Sequence, residues 1–339
     1  MNRTTRRQVL ERSLRAGLAI LATPGMMIAG SGHAGETADS TAKGLPSVKI
    51  GLHCAGWDPR PIGELFAAAH ELSYDGVELA PPWQEKKYDM EQLYRMLLAA
   101  GTTLAPAAFV GGGELRDRNA QQAYVAKARK HARWIKSHGG RYVIYSTVGG
   151  RNGDRTRQET SNIREAFRII AEVVNGEGCT PLYHNHHVGG YPLSKRLLEE
   201  DLELLDLSSW RLCVDTGHLV LALTDPVVFV SRWVDKVSWM HCKDVKTAEL
   251  DQLDRPGVRW QDHFTPLGTG VVDFPRVFRA LASVGYKSWL VVEQDNSPDP
   301  YKTSKISIAF LRRTLSALTN SSGCRTQKGG ITGTMKDRY

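Results

Sequence analysis

From Ser47 to about Leu318 the chain repeats one pattern: a short apolar, β-branched run, then a longer stretch with helical spacing or a loop. The runs are SVKIGLHCA, DGVELA, TLAPAAFVG, RYVIYSTVGG, TPLYHNHH, RLCVDTGHL, KVSWMHCKDV and SWLVVEQD. Between them lie PIGELFAAAHELSY, MEQLYRMLLAAG, NAQQAYVAKARKHARWIKSHGG and QETSNIREAFRIIAEVVNGEG, three of them closed by glycine. Further helices are expected near 194–205, 225–233 and 274–284 and over KTSKISIAFLRRTL. Eight strand signals, each followed by a helix or a long loop, predict a single (β/α)8 TIM barrel over residues 47–318. The main rival, a doubly wound open sheet, advertises a glycine-rich turn after its first strand. GLHCAGWDP is no such turn.

The flanks are of a different kind. Arg6 and Arg7 precede an apolar run from Ala16 to Ala29 and a small-residue site at Gly32–Ala34. Residues 1–35 are therefore expected to be a twin-arginine signal peptide that sends the chain to the periplasm. Their five arginines and one glutamate account for half of the net charge of +8, leaving +4 for the rest. That mild balance does not point to nucleic acid. No later segment has the ~18 apolar residues of a membrane span. The five cysteines are odd in number and form no CxxC, so no disulfide framework is expected. Residues 320–339, polar and glycine-rich, are expected to be disordered.

In such a barrel the chemistry sits at the C-terminal ends of the strands, where residues two apart point the same way. These ends carry Glu78, His184 with His186, Asp215 with His218, His241 with Lys243, and Glu293 with Asp295. Alternation turns each strand pair into the mouth and turns Tyr183, Cys242 and His187 away. Taken singly, an Asp or His there is as readily a helix cap or a loop anchor. Their joint occurrence on four successive late strands points to one divalent metal ion, with Mn²⁺, Co²⁺, Fe²⁺ or Zn²⁺ suited to a His, Asp and Glu donor set. Structural zinc favours thiolates, and no cysteine is expected at an inward position in the set.

YHNHH, VDTGHLVLA, MHCKDV, PLGTGVVDF and GYKSWLVVEQD, in that order, resemble the xylose-isomerase-like sugar isomerase/epimerase superfamily. Within it they are most similar to the inosose dehydratase and 3-keto-glycoside lyase or hydratase branches. The resemblance spans residues 47–318. It implies metal ligands at Asp215, His241 and Glu293. At the fifth strand many members read ENH where this chain reads HNH, so His184 is the implied fourth ligand. His218 and Lys243 are implied to approach substrate oxygens, and Glu78 to line the pocket.

A divalent ion chelated by a ketone and a neighbouring hydroxyl acidifies the C–H between them. Isomerases of this superfamily commonly use two carboxylates as acid and base, whereas this chain supplies imidazole. His186 is therefore the candidate base and His218 the candidate acid, which favours dehydration or glycoside β-elimination over isomerisation or epimerisation. For His186, a supporting role beside the ligands is the alternative. Trp57 is a candidate for stacking on a sugar, with simple packing equally open. Arg151, Asn152 and Arg155 are candidates for a charged substrate. The insertion KTAELDQLDRPGVRWQDHFTPLG has the length of a lid, and its His263 is expected to be exposed. The partner expected is a small carbohydrate, with a homodimer as the open alternative to a monomer. AP-endonuclease chemistry is disfavoured because strands three and four supply no ligand. A non-catalytic sugar-binding protein remains the alternative of a different class.

Overall fold

The computed structural model describes Leu45 and residues 47–58, 60–111, 115–146, 155–187, 193–246 and 259–323. Strands β1 (Lys49–His53), β2 (Gly76–Leu79), β3 (Leu104–Phe109), β4 (Tyr142–Ser146), β5 (Thr180–His184), β6 (Arg211–Asp215) and β7 (Val237–Cys242) match the first seven expected runs. Two short strands follow, β8 (Asp244–Val245) and β9 (Phe264–Thr265), paired antiparallel, and then β10 (Trp289–Val292). The eight long strands close in the order β1-β10-β7-β6-β5-β4-β3-β2, all parallel, so the barrel expected from the sequence is present.

The helices begin where side chains satisfy their first amides. Asp89 caps Met90–Ala99, Asp117 caps Arg118–Ser137 and Asp225 caps Pro226–Trp233. Thr156 and Glu159 form a reciprocal capping box at Arg157–Gly176. The last helix, Pro300–Gly323, runs past the Leu318 boundary read from the sequence. Residues 1–35 and 324–339 lie outside the described residues. Cys54, Cys179, Cys213 and Cys242 are free and buried.

The barrel floor is aromatic. Trp239 and Trp289 stack with centroids 5.7 Å apart, and Tyr142 lies against Trp239. A Cβ on Gly76 would come within 3.0 Å of the Trp289 ring, so that glycine makes room for the indole. Above this floor the register aligns Asp215 with His241, and His53 with Glu78. The polar strand ends thus share one level over an apolar plug.

Candidate active site

Each of the three implied ligands with a carboxylate or imidazole in the β6, β7 and β10 positions uses one atom for anchoring and turns the other into a common hollow. Asp215 ends β6 and also caps the helix Thr216–Leu221: its Oδ1 accepts the His218 amide at 2.8 Å. The helix-cap and ligand readings of this residue therefore both hold, one oxygen each. His241 donates Nε2–H to Glu78 Oε1 at 3.0 Å, which leaves Nδ1 for the hollow. Glu293 accepts from the Lys243 ammonium through Oε1 at 2.8 Å and presents Oε2, 2.6 Å from His241 Nδ1. His184 Nε2 lies 3.4 Å from Asp215 Oδ2. Ligand atoms of His184, Asp215, His241 and Glu293 fall within 4.8 Å of one another, all buried.

Three features fit a divalent cation there. Asp215 Oδ2, His241 Nδ1 and Glu293 Oε2 are buried, and among the described residues they meet only one another, His184 and Lys243 in ion-pair contacts without a well-formed hydrogen bond, so a shared cation would complete them. Glu78, Asp215 and Glu293, with Asp295 at the edge, stand around one buried ammonium, Lys243, an excess of negative charge that a divalent ion would offset. The donors are two imidazoles and two carboxylates, suited to a first-row transition ion.

Glu78 corrects an expectation. It does not line the pocket: it is fully buried, and both its oxygens are taken, by Trp239 Nε1–H at 2.6 Å and by His241. It orients a ligand from behind, as carboxylates behind metal-binding histidines commonly do. His53, which the sequence reading passed over, joins this layer. The Ala55 amide donates to its Nδ1, so Nε2 carries the hydrogen, 3.4 Å from Glu78 Oε1. Cys213 is a second correction. It shares the inward parity of Asp215 and touches His241, but burial pushes its thiol up to about 12, which keeps it protonated.

Burial opposes charge on His241, but the Glu78 and Glu293 carboxylates beside it hold its pKa well above the ordinary value. The metal-free protein therefore carries a proton where a cation would bind. Below that raised pKa, apparent metal affinity should fall by about tenfold per pH unit, and loading at neutral pH should release close to one proton. Calorimetry in buffers of different ionisation enthalpy reads that number. A value near zero at neutral pH would contradict the assignment of His241.

Lys243 is fully buried, and its ammonium contacts Glu293, Asp295 Oδ2 at 2.9 Å, Asp215 Oδ2 at 3.4 Å and His218 Nε2 at 3.3 Å. Burial opposes its charge, yet Asp215, Asp295 and Glu293 hold its pKa well above the ordinary lysine value. Gly217 lets its stem through, since a Cβ there would sit 2.7 Å from Lys243 Cγ. The next residue, Asp244, accepts amides of Val245, Gly268, Gly270 and Val272. That cradle accounts for the PLGTGVV segment.

The chain turns after His184, the His186 amide bonding back to the His184 carbonyl at 2.9 Å. His186 is therefore placed by a turn and not by strand alternation. It still reaches the mouth, its ring 3.9 Å from that of His218. Burial lowers the pKa of His186 and, more strongly, of His218, so both are neutral at pH 7. His186 Nδ1 lies 2.7 Å from the His187 carbonyl, which only accepts, so His186 Nε2 is the basic nitrogen. His187, read as turned away, stands 3.1 Å from His218 Nδ1. Asn185 ties the two strand ends together, exchanging hydrogen bonds with the Asp215 main chain at 2.8 and 2.9 Å.

Other expectations are corrected. Of the two readings left open for Trp57, its 4% exposure fits packing, beside a small cavity that it lines with Gln294 and Thr303. The exposed tryptophan at the mouth is Trp83, 46% accessible, its ring edge-on to His53 and tilted against Phe109. PPW after the second strand was the signal, two prolines opening the short helix Pro81–Gln84. On the other side Trp260 abuts His186, His187 and His218. Arg155 is nearly buried and its guanidinium is engaged by buried Asp201 at 2.6 Å. His263 is fully buried. Arg151, Asn152 and residues 247–258 of the insertion lie outside the described residues.

Residues 66–314 match the family described as xylose isomerase-like TIM barrel. The chain is 26% identical over 303 residues to the inosose dehydratase of Mesomycoplasma hyopneumoniae strain J, covering 80% of this chain and 98% of that one. It is 26% identical over 271 residues to the inosose dehydratase of Geobacillus kaustophilus, covering 74% and 86%. Among solved structures, 3-keto-D-glucoside 4-epimerase from E. coli aligns with a TM-score of 0.58 at 17% identity, over 78% of this chain and 99% of that one, a likeness of fold alone.

Proposed function

Because this chain belongs to the xylose isomerase-like TIM-barrel family, we propose that it is a metal-dependent carbon–oxygen lyase acting on a keto-inositol, keto-sugar or 3-keto-glycoside. The observation that carries this reading is the base. Beside the ligand quartet stands an imidazole, His186, with its unprotonated nitrogen defined by the His187 carbonyl. Glu78, a carboxylate of the kind isomerases use for this step, is locked behind His241 and Trp239. The relatives named inosose dehydratase support the same choice.

His184, Asp215, His241 and Glu293 would hold Mn²⁺, Co²⁺, Fe²⁺ or Zn²⁺. The ion supplies Lewis acidity at the ketone, acidifying the adjacent C–H. His186 Nε2 takes that proton. The β C–O bond breaks, and the imidazolium returns the proton to the departing oxygen, which leaves as water or as a free alcohol. Because burial disfavours the charged form of His186, that return is downhill. Lys243 keeps its own proton and offers a fixed positive charge to substrate oxygens. His218, read from the sequence as the acid, is neutral with Nε2 facing the Lys243 ammonium, so in this proposal it steadies Lys243 by accepting from it and leaves the proton return to His186. Trp83 and Trp260 give flat apolar walls for the C–H faces of a ring.

Metal-loaded enzyme given a keto-inositol and a 3-keto-glucoside should produce a conjugated-enone absorbance with loss of water or of the aglycone. Exchange of the α-hydrogen in D₂O with an epimer or isomer as product, and no elimination, would replace this reading with isomerase chemistry. Ligand binding without turnover would favour the non-catalytic sugar-binding alternative.

A further inference from the structure

We infer that His187 is a positioning residue for both imidazoles of the mouth, fixing His186 through its carbonyl and His218 through its ring. The inference rests on the reading above only in taking His186 as the base. Its geometry stands on hydrogen-bond polarity. An ammonium can only donate, so at 3.3 Å Lys243 Nζ requires His218 Nε2 to accept. A neutral His218 then carries its hydrogen on Nδ1. The atom facing that hydrogen, at 3.1 Å, is His187 Nδ1, which must be the acceptor, leaving the His187 hydrogen on Nε2. On the opposite side the His187 carbonyl, 2.7 Å from His186 Nδ1, requires that nitrogen to donate.

The tautomers of three adjacent histidines thus follow from one ammonium and one carbonyl, with His187 the residue that touches both partners. The stacking of His187 on His218, 18° between planes at 5.2 Å, and the Trp260 ring 4.8 Å from His187 hold the array in place. Through His218 the effect reaches Lys243, whose other bonds run to Glu293 and Asp295. A residue of opposite strand parity becomes important because the strand has already ended at His184.

The test is nuclear magnetic resonance of the full chain, zinc-loaded and labelled with ¹⁵N-histidine. The expected spectrum shows His218 protonated on Nδ1, His187 on Nε2, and a ¹⁵N–¹⁵N coupling across the hydrogen bond between their Nδ1 atoms. His218 protonated on Nε2, or no coupling to His187, would overturn the inference whatever the enzyme's substrate proves to be. In kinetics, His187→Phe should lower kcat by roughly ten- to a hundredfold with KM and metal content little changed. His187→Asn, which restores an acceptor, should recover part of that loss. A His187→Phe enzyme with unaltered kcat would also overturn it. If the NMR pattern appears and no elimination substrate is found, the base assignment fails and the positioning array stands.

Discussion

Glu293→Gln should cost the protein its metal and nearly all of its activity while the barrel still folds. The substitution keeps the shape and removes a charge from a carboxylate with two duties. One oxygen bonds the Lys243 ammonium and the other enters the ligand hollow beside His241. Burial opposes ionisation of Glu293, yet the Lys243 ammonium and His241 hold its pKa well below the ordinary carboxylate value, so it is charged throughout the working range. Loss of a supporting partner of a metal ligand typically weakens affinity by roughly ten- to a hundredfold. Loss of a charged ligand should weaken it by about a hundredfold or more. Added metal should therefore restore only part of the activity. A Glu293→Gln enzyme that binds metal as tightly as wild type would remove Glu293 from the site.

Lys243→Met should act on stability and catalysis together. Methionine fills a similar volume but leaves Asp215 and Glu293 buried without their cation, next to Asp295. Breaking a buried charge pair from one side costs about 3–5 kcal/mol. In the metal-free protein the loss should approach that range. Bound metal should recover part of it, because the ion restores the missing positive charge. Denaturation with and without saturating metal reads both values. Turnover of the metal-loaded variant should fall by roughly a hundred- to a thousandfold, the usual effect of removing one preorganised electrostatic group. Equal stability of wild type and variant in the absence of metal would contradict the charge argument.

The barrel was legible because alternation and turn chemistry act locally. Most strand runs are apolar and rich in β-branched residues, and several long helices start at an Asp or Thr whose side chain caps them. The candidate ligand set was legible differently: alternation marked the polar strand ends, and the family resemblance singled out Asp215, His241 and Glu293 among them. What alternation could not show was the course of the chain past a strand's last bond. His186 and His187 lie beyond the end of β5, where a turn brings both onto His218. The depth of a side chain was also hidden. Glu78 reads as a mouth residue by parity, but the indole of Trp239, from the opposite wall of the barrel, claims one of its oxygens. Trp57 and Trp83 look alike in sequence, and only packing decides that the first is buried and the second exposed.

The central claim is that four residues from four strands hold one divalent ion. Elemental analysis of purified wild type beside Asp215→Ala and His184→Ala tests it most directly. About one transition ion per chain in wild type, lost in both variants, is the result this geometry predicts. Wild-type protein that is metal-free and takes up no Mn²⁺, Co²⁺, Fe²⁺ or Zn²⁺ would contradict it.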